Sequence, residues 1–312
     1  MLPPVIAGVD GSAESLAAAE WAAREAARRD LPLRLTHVWN WHPRQDDGEP
    51  VTAAQRHQAA RVLRQARGRV RAVAPNIRPY DEQMEGPATA ALLKAAEESE
   101  LLVLGSRGLS GVTGFLVGSV AQGVVARATR PVVLVRAGEE PADEHLPAPG
   151  GRPSILTGYR DVILGVDLGD PCDTVIAFAF EAARLRGARL RVVHAWQPPS
   201  PLGLGPGEIG LVSGPQWAGE WLGFLSAVLQ VWRDKYPGVE VAETVVEGRA
   251  RSALLRAASG ASLLVVGRHL TDRPAGPRIG PVTHAAIRPH SRLRSSGGTP
   301  IVGCPVAVVP HE

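Results

Sequence analysis

The 312-residue sequence contains little cysteine, few aromatic residues and no long apolar run. Its two cysteines, Cys172 and Cys304, form neither a disulfide framework nor a C-x-x-C spacing, which favours a cytoplasmic protein without a metal site. The longest apolar stretches, residues 101–104 and 263–266, are far shorter than the roughly 20 residues that cross a bilayer, so we expect no membrane span. The first residues also lack the features of an export signal.

The sequence also lacks a block of like charge and the common catalytic motifs. There are 34 Lys and Arg residues against 31 Asp and Glu, and the arginines are spread along the chain, so nucleic-acid binding is not expected. There is no Walker A loop, no G-x-G-x-x-G after the first predicted strand, no H-E-x-x-H and no G-x-S-x-G. Four histidines near the end of the sequence have no paired spacing on one helix face, so the spacing does not predict a metal site; they are His269, His284, His290 and His311.

The sequence does contain an internal repeat. Residues 5–10 recur as residues 162–167, and residues 33–39 recur as residues 190–196, both 157 positions later. Residues 101–105 recur as residues 263–267, 162 positions later. The chain is therefore interpreted as two copies of one module, with domains at residues 1–137 and 160–312. The Pro-, Gly- and acid-rich stretch 138–159 is interpreted as the linker.

Each copy alternates short Val/Leu/Ile runs with longer segments of helical period, the pattern of an α/β fold with a parallel sheet. Ser12 and Ser119 are predicted to cap the first and fourth helices, and Asp170 with Pro171 to begin the first helix of the second copy. In the first copy the predicted strands are near 4–9, 33–39, 77–82, 101–104 and 132–135, and the predicted helices near 12–29, 52–73, 88–98 and 119–129.

The most specific motif is a glycine-rich stretch between the fourth strand and the fourth helix of the first copy. It comprises Gly105-Ser106-Arg107-Gly108, nine further residues, and Gly118-Ser119. Glycines at such a place let backbone N–H groups approach an anion, and the arginine and the Ser119 hydroxyl can both donate to phosphate oxygens. The alternative is a loop in which the glycines serve only the turns.

Asp10 follows the first predicted strand, as Gly105 follows the fourth. In an open α/β sheet ligands bind beyond the strand carboxyl ends where the strand order reverses, and the order 3-2-1-4-5 makes these two strands neighbours. Val38, near the end of the second strand, then flanks Asp10. The alternative for Asp10 is an Asx turn at the start of a helix.

These residues resemble the universal stress protein family in its ATP-binding subclass. The resemblance rests on residues 5–12, 85–88 and 105–120, and it extends to both copies, as in tandem members of the actinobacterial type. It implies two five-stranded parallel sheets of order 3-2-1-4-5 with helices on both faces, and ATP, with or without Mg²⁺, at the switch point. It also implies pairing of the two final strands, giving a pseudo-dimer within the chain and a homodimer beyond it.

Within the resemblance, Asp10 and the backbone at Val38 hold the adenine side, and the glycine loop holds ribose and phosphates. The candidate nucleotide-binding residues are Gly8, Val9, Asp10, Val38, Gly105, Ser106, Arg107, Gly108, Leu109, Ser110, Gly111, Gly118, Ser119 and Val120.

The second copy departs from this pattern. Gly165, Asp167, Gly267 and Gly280 are retained, but Leu270 stands in place of Gly108 and Pro281 in place of Ser119. Leucine adds a bulky side chain to the glycine loop, and proline removes a hydroxyl and a backbone N–H from it. We therefore expect weaker or absent phosphate binding there. An insertion around 289–303 is interpreted as a solvated basic loop.

The expected function is an ATP-binding regulator in a stress or dormancy response, with an unidentified protein partner. Two alternatives remain open at this point. One is a slow Mg²⁺-dependent ATP hydrolase with Asp10 near the phosphates, although the glycine loop offers no evident base. The other is a nucleotide-free interaction scaffold.

Overall fold

The computed structural model describes residues 2–39, 50–106, 118–198, 214–270, 280, 282–284 and 303–312. The first half contains β1 (Val5–Gly8), α1 (Ala13–Arg29), β2 (Leu33–Trp39), α2 (Pro50–Val73), β3 (Tyr80–Glu85), α3 (Ala88–Glu97), β4 (Leu101–Ser106), α4 (Ser119–Val125) and β5 (Val132–Arg136). The second half contains β6 (Val162–Gly165), α5 (Asp173–Arg186), β7 (Leu190–Trp196), α6 (Gly214–Lys235), β8 (Val241–Glu247), α7 (Ala250–Ala257), β9 (Leu263–His269) and β10 (Val306–His311).

The strands form one ten-stranded sheet of order β3-β2-β1-β4-β5-β10-β9-β6-β7-β8. Each half has the predicted order 3-2-1-4-5, and its strand pairs are parallel. The halves join through β5 and β10, which pair antiparallel with Val306 opposite Leu134. The predicted fold class and the pairing of the final strands are therefore confirmed.

Helices cover both faces of this sheet and create two apolar cores. Alternate residues of β1 point to opposite faces, so that Val5 and Ala7 lie in one core and Ile6 in the other. The first core is built with α1, α2, α5 and α6 and contains the fully buried rings of Trp21 and Phe180. The second is built with α3, α4 and α7. Both cores run through the two halves.

Several predicted boundaries are wrong. β3 covers residues 80–85 rather than 77–82. Ile77 belongs instead to a turn before the strand, in which its N–H donates to the carbonyl of Ala74 and its side chain packs on the first core. The cap of α1 is as predicted, since Ser12 Oγ accepts from the N–H of Ser15. α4 ends at residue 125, and its N-cap is Gly118, whose carbonyl accepts the first helical bond.

The first helix of the second half also begins later than predicted. α5 starts at Asp173 with Cys172 as its N-cap, because the Cys172 carbonyl accepts the first helical hydrogen bond from Ile176. The N–H of Asp170 instead donates to the carbonyl of Asp167. The residues predicted to begin the helix thus belong to the loop that follows β6.

A buried ion cluster connects the two halves on one face of the sheet. Glu25 of α1 lies 2.8 Å from Arg186 of α5, and also accepts from Arg28 at 2.9 Å and Arg29 at 2.8 Å. The side chains of Glu25 and Arg186 are 1% and 0% exposed. Burial alone would raise the pKa of the Glu25 carboxyl, but the three guanidinium groups hold it well below its usual range.

The stretch predicted as a linker packs against α1. It contains a short 3₁₀ turn (Pro141–Glu144), and the buried Glu144 carboxylate pairs with Arg24 at 2.7 Å and Arg28 at 2.8 Å. These arginines lower the pKa of Glu144 although its burial raises it. The segment therefore reinforces the ion cluster on α1.

None of the helices in the described ranges combines the length and apolarity needed to cross a membrane.

Candidate functional site

A cavity of about 310 Å³ lies beyond the carboxyl ends of β1 and β4, where the strand order of the first half reverses. Its described lining is mostly apolar, with a few hydroxyl and carboxylate groups, the composition typical of a small-molecule site. The lining residues are Gly8, Val9, Asp10, Ser12, Glu14, Ser15, Thr36, Val38, Ala88, Leu92, Leu104, Gly105, Gly118, Ser119, Val120 and Ala121.

The structure brings most of the predicted site residues together. Of the candidates, Gly8, Val9, Asp10, Val38, Gly105, Gly118, Ser119 and Val120 line this cavity. Ser106 is buried at the end of β4 and is not among the lining residues. Candidates 107–111 fall outside the described residues.

Asp10 both lines the cavity and organises the start of α1. Its Oδ1 accepts from the N–H of Ser12 at 2.9 Å and from the Ser12 hydroxyl at 2.6 Å, while its own N–H donates to Ser15 Oγ at 3.2 Å. The Asx turn, considered as an alternative for Asp10, is therefore present together with its place in the cavity. The turn fixes the carboxylate at the cavity edge.

Val38 reaches the cavity because β2 is longer than β1. The ladder between these strands ends at Gly8 opposite Thr36, whereas β2 continues to residue 39 along β3. Val38 therefore lies beyond the end of β1, where it lines the cavity while it pairs with Met84 of β3 on its other side.

Two glycines allow the strands to approach their neighbours closely. A methyl group at Gly105 would place its carbon 2.6 Å from the backbone carbon of Glu14 and 2.7 Å from the backbone nitrogen of Ser15. At Gly8 the nearest atom would be a Leu104 methyl carbon at 2.6 Å, on a side chain that can rotate. Gly105 therefore serves the packing of β4 against the start of α1, a role that the sequence motif did not distinguish from phosphate contact.

We expect Gly105→Ala to lower the free energy of unfolding by about 1–3 kcal/mol, because backbone atoms must move to admit the methyl group. Gly68→Ala is the matched control, since Gly68 is exposed within α2 and no atom lies within 4 Å of the added carbon. There alanine should stabilise the helix by about 0.5–1 kcal/mol. Denaturant unfolding of both variants tests the pair, and an unchanged Gly105→Ala midpoint would contradict the close approach.

Sequence reasoning missed half of the lining. Ser12, Glu14 and Ser15 contribute because α1 begins over the end of β4, and Thr36 because it stands beside Gly8. Others come from α3, β4 and α4, namely Ala88, Leu92, Leu104 and Ala121. The signals for any of them were two of the stretches that supported the family resemblance, residues 5–12, which include Ser12, and residues 85–88, which include Ala88.

The second half has an equivalent cavity of about 370 Å³. Gly165, Asp167, Ala195, Gly267 and Gly280 line it at the positions that correspond to Gly8, Asp10, Val38, Gly105 and Gly118. The expected bulk of Leu270 does not fill this cavity, because Leu270 is 37% exposed and is not among the lining residues. The N–H of Leu270 donates to the carbonyl of His311 at the end of β10, and this hydrogen bond holds Leu270 at the edge of the sheet. Pro281 lies outside the described residues.

Comparisons with known proteins agree with this architecture. A family model described as "Universal stress protein family" matches residues 1–136 and 158–289. A universal stress protein of Mycobacterium tuberculosis is 31% identical over 298 residues, covering 91% of this chain and 92% of the relative. One from Mycolicibacterium smegmatis is 29% identical over 310 residues, covering 96% and 95%.

Among solved structures, the crystal structure of a universal stress protein from Archaeoglobus fulgidus matches with a TM-score of 0.67 and 18% identity. The match covers 99% of this chain and 98% of that one, so the fold is shared over both halves. The chain therefore belongs to the universal stress protein family and carries two copies of that family's α/β domain.

Proposed function

We propose that the first cavity binds ATP, and that bound ATP makes the protein a nucleotide-dependent regulator in a stress or dormancy response. The observation that carries the proposal is that Asp10, Val38 and the segment 118–120 line one cavity at the switch point of the sheet. Nucleotides bind at such switch points in open α/β folds. Family membership supports the same ligand class.

The walls of the cavity suit a nucleoside. Val9, Val38 and Leu92 supply apolar surface for a flat base, and the backbone of Val38, on the side where the ladder with β1 has ended, can hydrogen-bond to it. Asp10 supplies a carboxylate acceptor for the adenine side, and Ser119 supplies a hydroxyl donor for the first phosphate. We place the adenine side at Asp10 and Val38 and the phosphate side at Gly118, Ser119 and Val120.

The triphosphate needs a positive charge that the described lining does not supply. Two carboxylates, Asp10 and Glu14, line the cavity, and no arginine or lysine does so within the described ranges. Arg107 follows β4 directly and is the one basic residue in the sequence from Gly105 to Ser119. We therefore assign the charge that complements the phosphates to Arg107, assisted by Mg²⁺ when the metal accompanies ATP.

Nucleotide binding is tested by thermal unfolding of the full chain with ATP, AMP and adenosine. At a hundredfold excess over the dissociation constant, ATP should stabilise the folded state by about 2.7 kcal/mol and raise the melting temperature. Arg107→Gln should weaken ATP binding by about 10- to 100-fold, the effect of a lost charged hydrogen bond, and should leave adenosine binding unchanged. Arg64→Gln, on the exposed side of α2, is the control.

The outcomes separate the steps of the proposal. An unmoved melting temperature in millimolar ATP would remove ATP as the ligand. An equal loss of ATP and adenosine binding in Arg107→Gln would place the arginine away from the phosphates. Calorimetric titration should give one ATP per chain, because the second copy has Pro281 in place of Ser119. Two ATP per chain would contradict that expectation.

The pairing of the halves also constrains self-association. β5 and β10, the strands through which the resemblance implied dimer formation, pair with each other inside the chain. We therefore propose that a homodimer, where one forms, uses another surface.

A further inference from the structure

Three side chains with metal-binding groups meet at the edge of the second cavity. They are Asp170, His269 and His311, all of which line it, and one ligand atom from each lies within 4.8 Å of the other two. His269 Nε2 is 3.0 Å from Asp170 Oδ2. The two imidazole rings have centroids 4.8 Å apart.

The sheet topology explains why residues so far apart in sequence converge. His269 and His311 are partners in the parallel ladder of β9 and β10, so their side chains leave the same face of the sheet side by side. Asp170 belongs to the loop that follows β6, the strand on the other side of β9. All three strands end at the same edge.

The surroundings orient the His311 ring. Its Nδ1 lies 3.2 Å from the main-chain oxygen of Glu312. In the Nδ1–H tautomer this nitrogen donates to that oxygen, and Nε2 is left to bind a metal. The ring lies over Gly267, where an added methyl carbon would stand 2.8 Å from Nε2. Gly267 thus makes room for this ring.

The first half has none of these ligands. In the repeat, Ala13 corresponds to Asp170, Arg107 to His269 and Ala137 to His311. α1 has already begun at Ala13, whereas α5 begins only at Asp173, which frees Asp170 from the helix. The second copy therefore has an imidazole where the first has the arginine assigned to phosphate.

We propose that Asp170, His269 and His311 bind one divalent transition-metal ion of the Zn²⁺ type, whose remaining coordination positions face the second cavity. Two imidazole nitrogens and one carboxylate oxygen are a common ligand set for such ions, and sites with three protein ligands keep an open position. Ligand atoms around zinc stand about 3.3 Å apart at bonds of about 2.0–2.1 Å. Asp170 and His269, at 3.0 Å, already have about that spacing, so only the remaining separations, which reach at most 4.8 Å, must shorten. Asp170 and His269, at 63% and 50% exposure, have the freedom to move in this way.

The test is titration of the tag-free full-length chain with Zn²⁺, followed by calorimetry and by competition with a chromophoric chelator. Wild type should bind one Zn²⁺ per chain saturably. His269→Ala and His311→Ala should each abolish that saturable binding. His57→Ala, which removes an exposed histidine of α2, should leave it unchanged.

Co²⁺ supplies a second readout, because its visible absorption reports imidazole and carboxylate coordination directly. The band should appear with wild type and His57→Ala and be lost in His269→Ala. If an alanine variant fails to fold, Asp170→Asn tests the same site at an exposed side chain, and it should weaken Zn²⁺ binding at least tenfold.

Two results would overturn the proposal: wild-type binding no stronger than that of the His269→Ala/His311→Ala double variant, or retention of one Zn²⁺ per chain in each single alanine variant. Neither result bears on ATP binding by the first cavity, which is measured separately with Arg107→Gln.

Discussion

Replacing Glu25 by glutamine should lower the free energy of unfolding by about 3–5 kcal/mol, because it leaves the buried Arg186 guanidinium without its carboxylate. Glutamine has nearly the same shape, so the loss reports charge rather than packing. The measurement is denaturant unfolding of the full chain. Since Glu25 is on α1 and Arg186 on α5, the loss of stability should affect the unfolding of both halves.

An exposed ion pair on α5 provides the control. Arg184 pairs with Glu181 at 2.6 Å, but these side chains are 53% and 31% exposed. Glu181→Gln should therefore cost no more than about 1 kcal/mol. A similar small cost for Glu25→Gln would show that the buried cluster does not hold the halves together. In the double variant Glu25→Leu/Arg186→Leu, part of the stability should return, because the Arg186 charge is no longer buried without its carboxylate, whereas Arg29 still lacks its Glu25 partner.

The same cluster predicts an acid-labile fold. Glu25 and Glu144 have pKa values below the ordinary value of 4.5, because arginines stabilise their ionised forms. An unfolded chain binds protons at these carboxyls before the folded chain does, so their stabilising contribution is complete above pH 4.5 and is lost as the pH falls below it. Glu25→Gln should reduce this acid sensitivity.

Much of the fold could be predicted from the repeat and from apolar runs. β1, β4 and β5 are buried on both faces and appear in the sequence as continuous apolar stretches, so the positions predicted for these strands were nearly correct. β3 is an edge strand of sequence Tyr-Asp-Glu-Gln-Met-Glu, which contains no apolar run. The predicted strand therefore began at the apolar Ile77, three residues before the observed one. Strand order followed from the expectation that Asp10 and Gly105 meet.

The candidate site was predictable only where it depends on strand order. Asp10 and Gly118 meet because β1 and β4 are neighbours, which the order 3-2-1-4-5 requires. Ser15 and Leu92 enter the lining through helix packing, which no local pattern encodes. His269 and His311 are 42 positions apart in sequence, yet they are adjacent in the β9–β10 ladder. A search for paired histidines on one helix could not detect that proximity.

Glu139→Gln should stabilise the protein increasingly as the pH rises from 4.5 to 8. Although Glu139 is only half-buried as a residue, both carboxylate oxygens are inaccessible, and neither accepts a hydrogen bond of normal geometry from the described part of the chain. Burial raises the pKa of Glu139 to about 8, although Arg136 offsets part of the effect. The neighbouring acids Glu144 and Asp143 add to the rise.

The sign of the effect follows from proton binding in the two states. Below pH 4.5 the carboxyl is protonated in both the folded and the unfolded chain, so it adds no pH dependence. Between pH 4.5 and about 8 the unfolded chain releases the proton while the folded chain retains it, and wild-type stability falls by up to about 1.4 kcal/mol per pH unit. Glutamine does not titrate and removes this fall.

The advantage of Glu139→Gln over wild type should therefore grow by about 3–5 kcal/mol across this range and then level off above pH 8. Denaturant unfolding at half-unit pH steps measures it. Glu97→Gln, at an exposed position on α3, should differ from wild type by an amount that hardly changes with pH. A constant offset for Glu139→Gln would mean that the carboxyl ionises freely, with water reaching it beside Arg136. A growing offset would show that β5 and the segment after it hold a neutral acid at neutral pH, next to the strand that joins the two halves.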